Sequence, residues 1–310
     1  MKKSVLYLYS DSVLTPNQEN IFASTIAELL QSTPSNYYPF VTHFMGFDEQ
    51  FASFLKRFDI IFNVCYGFDS YSQVDVIRWL EHNNIQHNAS DLASQLLAMD
   101  KAQLPLLCKE VGINTPEILN VEDIVPNTAG TYLCKPRFGS CHRNIEIFSA
   151  SHVPYQLLTE SPDLLLQPYI EGREFTVGVI PNQAGDGYEA LPPMEIRPDD
   201  ERSIYVAGSS FGKTIRVFNP DLSTELQAKI CKSVLDLHNL IGLKGMSRTD
   251  LRVTEDGEVY ILDVNAMPNL DPRNSYLPVL AEHSGISYAE LIRRLILVGE
   301  SASVKSYSFF

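Results

Sequence analysis

The run Asp59–Cys65, which reads Asp-Ile-Ile-Phe-Asn-Val-Cys, restricts the fold more than any other segment of this chain. A short and nearly continuous apolar run is typical of a β-strand buried on both faces, as in a parallel sheet. Another strand-like segment lies at Val5–Tyr9, and helix-like spacing of apolar residues occurs at Gln18–Leu30 and Val74–His82. This alternation predicts a parallel sheet covered by helices over about the first ninety residues.

The rest of the chain mixes further strands and helices. The pattern from Ser90 to Val111 predicts one helix that stops at Gly112. The stretch from Glu195 to Val217 combines charge, Gly and Ser and predicts a mobile loop over a site. Further elements are predicted as strands at Thr131–Lys135, Leu164–Gln167 and Glu174–Ile180 and as helices at Leu222–Leu240 and Tyr288–Val298.

Composition excludes several classes of protein. With 310 residues, of which 45% are hydrophobic and 20% charged, the chain has enough apolar material for two or three domains. A net charge of −14 argues against nucleic acid as a partner. The first apolar run ends at Ser10, too early for a membrane span. The five scattered cysteines predict a reduced, cytoplasmic protein without structural zinc.

The segment from Ser247 to Asn265 predicts a hairpin that gathers charged residues. Counting outward from a two-residue turn at Asp256-Gly257 pairs Asp250 with Asp263 and Arg248 with Asn265. Because cross-strand partners share a face, these four side chains lie together. The same register predicts that the opposite, core-facing side carries Thr249, Leu251, Val253, Tyr260, Leu262 and Val264.

Two carboxylates directly opposite each other would repel, with Cβ atoms about 5 Å apart. A divalent cation removes that repulsion, and Asp250, Asp263 and the Asn265 amide oxygen are hard donors suited to Mg²⁺. The alternative is a solvated polar face whose carboxylates are hydrated or paired with Arg248 and Arg252. A three-residue turn would also change the register.

Magnesium with so few protein ligands is expected to have a phosphate partner. Lys135 ends a predicted strand, and Arg137 and the turn at Gly139-Ser140 follow it, so cations and backbone N–H groups can converge on an anion. Lys101 opens a helix-like segment and is a second candidate. The alternative for both lysines is an ordinary position on the surface.

The segment Leu164–Ile170 ends an apolar strand at Pro168 and exposes backbone groups beside Tyr169. It can hold an adenine by backbone hydrogen bonds and apolar contact, and Glu174 can accept hydrogen bonds from ribose hydroxyls. An ordinary edge strand and turn is the alternative.

Together these motifs resemble the ATP-grasp superfamily, and most closely the D-alanine–D-alanine ligase family. The resemblance runs from about Asp59 to Leu297. Its most specific parts are Met-Asp-Lys at 99–101, Glu-Gly-Arg-Glu-Phe-Thr-Val at 171–177, Ser-Arg-Thr-Asp-Leu at 247–251 and Tyr-Ile-Leu-Asp-Val-Asn-Ala-Met-Pro at 260–268.

The resemblance implies an α/β (α+β) ATP-grasp fold with ATP between the last two of three subdomains. These subdomains are an amino-terminal parallel α/β unit at 1–95 and two ATP-clasping units at 96–185 and 186–310. It further implies ATP and Mg²⁺ as cofactors, with two ions held by Asp250, Asp263 and Asn265 and with Mn²⁺ as a substitute. Small amino-acid-like substrates and a possible homodimer are the implied partners. The implied nucleotide contacts are Lys101 and Lys135 to the phosphates, Gln167, Pro168, Tyr169 and Ile170 to the adenine, and Glu174 to the ribose.

The family's reaction is the ATP-dependent joining of a carboxylate and an amine through an acyl phosphate. Arg248 would face the reacting groups, and Ser140 and Lys213 are further catalytic candidates. A closed loop must keep water from the acyl phosphate, and the candidate lids are residues 137–144 and 202–213.

The departures from the family pattern cluster where the amino-acid substrates would bind. The expected His-Gly is Tyr66-Gly67, and the usual Pro-Gly after the metal motif is Pro268-Asn269. Glu19 replaces the acid of the family's opening motif only by loose alignment. The substrate-binding candidates are therefore Glu19, Tyr66, Asn269 and Ser275.

These changes favour an amino-acid or peptide ligase, for example of natural-product biosynthesis, that does not simply join two D-alanines. The alternatives are a D-alanine–D-alanine ligase of cell-wall synthesis, an ATP-grasp cyclase, and an ATP-binding protein without turnover.

Overall fold

The computed structural model describes residues 2–10, 16–66, 70–120, 122, 130–138, 145–161, 163–198 and 214–304. Its amino-terminal elements are β1 (Lys3–Tyr9), α1 (Pro16–Ser32), β2 (Tyr37–His43), α2 (Glu49–Leu55), β3 (Ile60–Asn63) and α3 (Ser70–His82). The three strands form a parallel sheet in the order β2-β1-β3, and all four residues of β3 are buried. The parallel amino-terminal sheet is thus confirmed, although β2 and α2 were not predicted.

The single helix predicted from Ser90 to Val111 is wrong. The structure has two helices, α4 (Leu92–Met99) and α5 (Leu104–Glu110), separated by a turn that begins at Asp100. Asp100 has an extended ψ of 92°. Its carboxylate accepts a hydrogen bond from the Ala102 backbone and two, both of 2.7 Å, from the Arg137 guanidinium. The helix ends at Met99, two residues before Lys101, and Asp100 is its cap.

The remaining elements form two antiparallel sheets and their covering helices. They are β4 (Thr131–Pro136), β5 (Glu146–Ser149), α6 (Tyr155–Glu160), β6 (Leu164–Pro168), β7 (Arg173–Pro181), β8 (Tyr188–Ala190), β9 (Met194–Pro198), β10 (Thr214–Val217), α7 (Thr224–Ile241), β11 (Ser247–Val253), β12 (Val259–Asn265), α8 (Tyr276–His283) and α9 (Tyr288–Val304).

The smaller antiparallel sheet has the order β5-β4-β6, and the larger has the order β10-β9-β7-β11-β12, with β8 paired to β7. Because β9 and β10 pair from Glu195↔Val217 to Pro198↔Thr214, the predicted loop from 195 to 217 is wrong at both ends. Residues 199–213 lie outside the described part of the chain. β7 pairs with β11, so the predicted subdomain boundary between residues 185 and 186 falls among the strands of one sheet. The division into three subdomains stays a prediction.

The hairpin of β11 and β12 differs from its predicted register near the turn. Thr254 and Glu258 close a three-residue loop in which Gly257 has a φ of +82°. Val253 therefore pairs with Val259 rather than with Tyr260. A one-residue β-bulge after Ile261 then restores the predicted pairing, so that Asp250 faces Asp263 and Arg248 faces Asn265.

The bulge also corrects the predicted core face of β12. Val259 and Ile261 are buried at 4% and 1% exposure, whereas Tyr260 and Leu262 are not in the core. Val264, beyond the bulge, is buried as predicted. On β11, Thr249, Leu251 and Val253 are buried as predicted.

The larger sheet carries apolar packing on both faces. One face packs on α7, whose amino end is capped by the Ser223 hydroxyl and whose carboxyl end stops at Gly242 with a φ of +75°. The other packs on α8 and α9, and α9 also contacts β3 of the amino-terminal sheet. Within the described residues, no helix is both long and apolar enough to cross a membrane.

Candidate ATP and metal site

The site is built on three neighbouring strands of the larger sheet. The register places Glu174 opposite Arg252, and Thr176 opposite Asp250. Asp250 in turn lies opposite Asp263 on the other side of β11. Because opposite residues share a face and every second residue returns to it, charged residues cover one end of this sheet face.

The smaller sheet supplies the opposing wall of a cleft. Leu133 and Lys135 are two residues apart on β4 and therefore share a face, and Gln167 of β6 lies opposite Leu133. Together the two sheets enclose about 640 Å³ of empty space, part of which is open to solvent. The predicted residues that line this cleft are Lys101, Lys135, Gln167, Pro168, Tyr169, Ile170, Glu174, Asp250 and Asp263.

Two ammonium groups lie near one carboxylate in the cleft. Lys101 Nζ is 3.4 Å from Asp263 Oδ1, and Lys135 Nζ donates a 3.1 Å hydrogen bond to the Leu262 carbonyl. Leu262 is the residue of β12 that the bulge leaves without a partner on β11. Burial lowers the pKa of Lys135 to about 8, even though the Asp263 charge acts in the opposite direction. A buried cation with one neutral acceptor is a strong partner for a phosphate.

The turn before Lys101 is anchored to the smaller sheet. The Asp100 carboxylate holds the Arg137 guanidinium, and the Lys101 backbone N–H donates to the Arg137 carbonyl at 3.1 Å. The hydrogen bonds to Arg137 and to the Ala102 backbone hold the pKa of Asp100 below its ordinary value. Lys101 is therefore held at the mouth of the cleft by contacts on both sides of its own backbone.

Glu174 keeps one carboxylate oxygen that has no partner in the described part of the chain. The side chain is 5% exposed, and its Oε2 accepts from Arg252 Nε and Nη2 at 3.2 and 2.9 Å. Among the described residues, Oε1 has no hydrogen-bond partner. Burial raises the pKa of Glu174 to about 7 despite the Arg252 charge. An unused buried acceptor in a cleft is the arrangement that a ligand hydroxyl would satisfy.

The metal candidates already have contacts within the protein. Asp250 accepts from Thr176 Oγ1 at 2.6 Å and from Arg248 Nε and Nη2 at 3.1 and 3.0 Å. Asn265 Oδ1 accepts from the Met267 backbone N–H at 3.0 Å. Burial alone would lower the pKa of Arg248, but the charges of Asp250 and Asp263 outweigh it and raise the pKa.

The two-carboxylate and amide donor set fits Mg²⁺ in its chemistry, since all donors are hard oxygens. The alternative of protein ion pairs also holds in part, because Arg248 is bonded to Asp250. Arg252 is bonded to Glu174 instead. The metal assignments to Asp250, Asp263 and Asn265 remain predictions.

Three of the candidates for substrate binding, Tyr66, Asn269 and Ser275, do not line this cleft. Tyr66 is 8% exposed and lies in the core between the amino-terminal sheet and α9, where burial raises its pKa. Asn269 Oδ1 accepts from the Ser275 hydroxyl at 3.1 Å, in the loop before α8. Glu19 lies in α1, but its side chain is outside the described part of the chain. Ser140 and Lys213 lie wholly outside that part. Both lids fall largely outside it too, and all these roles stay predictions.

Arg252 also belongs to the site, although the sequence suggested it only as an alternative ion-pair partner for the carboxylates of the hairpin. Its guanidinium contacts Glu174, donates to the Ile170 carbonyl at 2.7 Å and lies 4.4 Å from the centre of the Tyr169 ring. Strand alternation from Asp250 would have placed it on the charged face. No sequence signal would have found Leu262, because its role depends on the bulge.

Comparison with known proteins decides the family. A family model described as "D-ala D-ala ligase C-terminus" matches residues 153–297. The D-alanine–D-alanine ligase of Rhizobium meliloti is 31% identical over 264 residues, which cover 77% of this chain and 80% of that protein. The chain belongs to the D-alanine–D-alanine ligase family. The Thermotoga petrophila member is 27% identical over 249 residues, covering 78% of this chain and 80% of its own length.

Solved structures agree in fold. The D-alanine–D-alanine ligase of Bacillus anthracis complexed with ATP superposes with a TM-score of 0.72 at 21% identity, over 96% of this chain and 97% of that one. The VanG D-Ala:D-Ser ligase of Enterococcus faecalis gives a TM-score of 0.75 at 17% identity, over 96% and 100%. The predicted ATP-grasp fold is confirmed, and the chain is an ATP-dependent ligase of the D-alanine–D-alanine ligase type.

Proposed function

We propose that this ligase joins two molecules of D-alanine, with release of ADP and phosphate. The observation that supports this most is the similarity, over more than three quarters of the chain, to relatives named D-alanine–D-alanine ligase. These relatives favour the cell-wall alternative over the expectation of other amino-acid substrates, which rested on altered loops. A cytoplasmic location and a homodimer stay predictions.

The cleft residues suit the first chemical step. One substrate carboxylate attacks the γ-phosphorus of ATP, the bond to the bridging oxygen breaks, and ADP leaves. Lys101 and Lys135 neutralise charge on the transferring group, while Glu174 accepts a ribose hydroxyl through its Oε1. The segment Gln167–Ile170 holds the adenine.

In the second step, the amine of the other amino acid attacks the acyl phosphate. The tetrahedral oxyanion then collapses: the new C–N bond is kept, the C–O bond to the phosphate breaks, phosphate leaves, and the nitrogen loses a proton to solvent. The Arg248 guanidinium, held by Asp250, is directed at the same end of the sheet and stabilises the oxyanion.

Magnesium would be held by Asp250, Asp263 and Asn265. When bound, it supplies positive charge that screens the phosphates from the attacking carboxylate. With the metal bound, Arg248 and Lys101 would interact less with Asp250 and Asp263 and more with the substrate.

The test is phosphate release from MgATP with D- and L-amino acids, singly and in pairs, and with products identified by mass spectrometry. We expect release with D-alanine alone and a D-alanyl-D-alanine product. Release only with another amino acid, or with a mixed pair, would overturn the substrate while leaving the ligase class intact. ATP binding without release under any condition would favour the protein without turnover.

A further inference from the structure

One buried arginine connects three residues of the proposed nucleoside site, Tyr169, Ile170 and Glu174. Arg252 is 6% exposed, and several of its contacts lie within this site. It holds Glu174 Oε2 with two N–H groups, donates to the Ile170 carbonyl and lies under the Tyr169 ring. Tyr169 and Ile170 lie on the link between β6 and β7. They and the Glu174 carboxylate therefore all contact one side chain, that of Arg252.

The contacts with Arg252 decide which oxygen of Glu174, a residue that lines the cleft, is left without a partner among the described residues. Arg252 Nε and Nη2 both donate to Oε2, and Oε1 is left without a partner among the described residues. The two carboxylate oxygens are equivalent in isolation, and only the fixed guanidinium distinguishes them. A planar guanidinium can do this, since its N–H groups point in fixed directions.

The hydrogen bond to the Ile170 carbonyl ties the link between β6 and β7 to Arg252 of β11. The link leaves β6 at Pro168 and enters β7 at Arg173, and its Gly172 has a φ of +144° with the Val253 carbonyl beside it. Neither the link nor Glu174 has a second cation among the ion pairs and hydrogen bonds of the described residues.

We propose that Arg252 is a positioning residue that sets the adenine segment and the ribose-binding oxygen of Glu174 in register, and so determines selectivity for the ribose of ATP. The inference rests on the proposed function only in taking this cleft as the ATP site. Arg252 does not touch the reacting groups, so it acts on nucleotide binding rather than on the chemical steps.

The chain offers a matched control in Arg173, on the other face of β7. Arg173 also holds a glutamate by two bonds, Glu195 at 3.0 and 2.8 Å, and donates to a carbonyl, that of Asp221, at 2.9 Å. It also lies 5.1 Å from an aromatic ring, that of Phe175. Arg173 does not line the cleft.

The experiment measures binding of ATP and of 2′-deoxyATP, with Mg²⁺ and without amino acids, to the full chain by calorimetry, together with the KM for ATP and kcat. The variants are Arg252→Met, Arg252→Lys and, as the control, Arg173→Met. We expect Arg252→Met to weaken ATP binding at least about tenfold, since it removes hydrogen bonds to a charged group. Its kcat at saturating ATP stays within about threefold of wild type.

The selective readout is the preference for ATP over 2′-deoxyATP. We expect wild type to prefer ATP about tenfold, Arg252→Met to lose the preference, and Arg252→Lys to fall between, because lysine keeps the charge without the planar fork. Arg173→Met keeps the wild-type preference even if it melts at a lower temperature.

Unchanged ATP preference in both Arg252 variants, or equal loss in Arg173→Met, overturns the inference. So does a wild type that binds the two nucleotides equally. Arg252→Lys keeps the charge and most of the volume, so it serves as the deciding variant if Arg252→Met does not fold. A wild type that binds no ATP would overturn the proposed function itself, which is a separate result.

Discussion

Lys135 is expected to strengthen ATP binding and to lower the stability of the fold, and Lys135→Met separates the two effects. The ammonium is buried, with Leu262 as its hydrogen-bond acceptor, and burial moves its pKa from an ordinary 10.5 to about 8. At 1.36 kcal/mol per pH unit, keeping the charge costs the folded state about 3 kcal/mol at neutral pH. Methionine keeps the apolar stem without that cost.

The sign of the pH dependence follows from proton counts. Between pH 8 and 10.5 the unfolded chain binds more protons at this position than the folded chain. Wild-type stability therefore rises with pH through that window relative to Lys135→Met. Below pH 8 both states are protonated, and the full cost remains. Hence the variant is more stable by up to about 3 kcal/mol at pH 7, and its advantage disappears above pH 10.5.

The measurements are urea unfolding of both proteins from pH 7 to pH 10.5 and the KM for ATP at pH 7. The variant should need at least about ten times more ATP, because it loses a charged hydrogen-bond donor. A variant that is less stable than wild type at pH 7, or whose stability difference does not change with pH, would refute the burial argument. An unchanged KM would refute the assignment of Lys135 to the phosphates.

Three further variants, one of them with a control, test the backbone at Gly172, the ion pair of Asp100 and the metal candidate Asp263. Gly172→Ala should cost about 3 kcal/mol or more in urea unfolding, because its Cβ would lie 2.2 Å from a backbone oxygen at a φ of +144°, whereas Gly257→Ala, which faces open space, should cost about 1 kcal/mol; equal losses would contradict this. Asp100→Asn should raise the KM for ATP several-fold while kcat changes little, since it weakens the ion pair that holds the turn before Lys101; a lower kcat with an unchanged KM would count against it. Asp263→Ala should abolish phosphate release and leave the far-UV circular dichroism spectrum unchanged, and normal activity would contradict the metal assignment.

Local pattern was sufficient for much of this site. The alternation in the hairpin placed Asp250 opposite Asp263, and strand ends placed Lys135 and Glu174. The pairing of the two aspartates was nevertheless reached through a two-residue turn that the chain does not have. The three-residue loop and the bulge each shift the register by one residue, in opposite senses, and so their effects cancel at Asp250. At Leu262, which lies between the two shifts, they do not cancel.

The sequence by itself determined the parallel amino-terminal sheet, the charged end of the hairpin and the family, because these depend on residue spacing within short segments. Only the tertiary structure decided where the helix before Lys101 stops, since Asp100 is bonded to an arginine 37 residues away. It also decided which residues Arg252 contacts and that, among the described residues, Glu174 Oε1 has no partner. These features depend on partners from other strands, and burial determines how strongly each pair interacts. Residue spacing within one segment does not show which partners from other segments come together or how deeply each pair is buried.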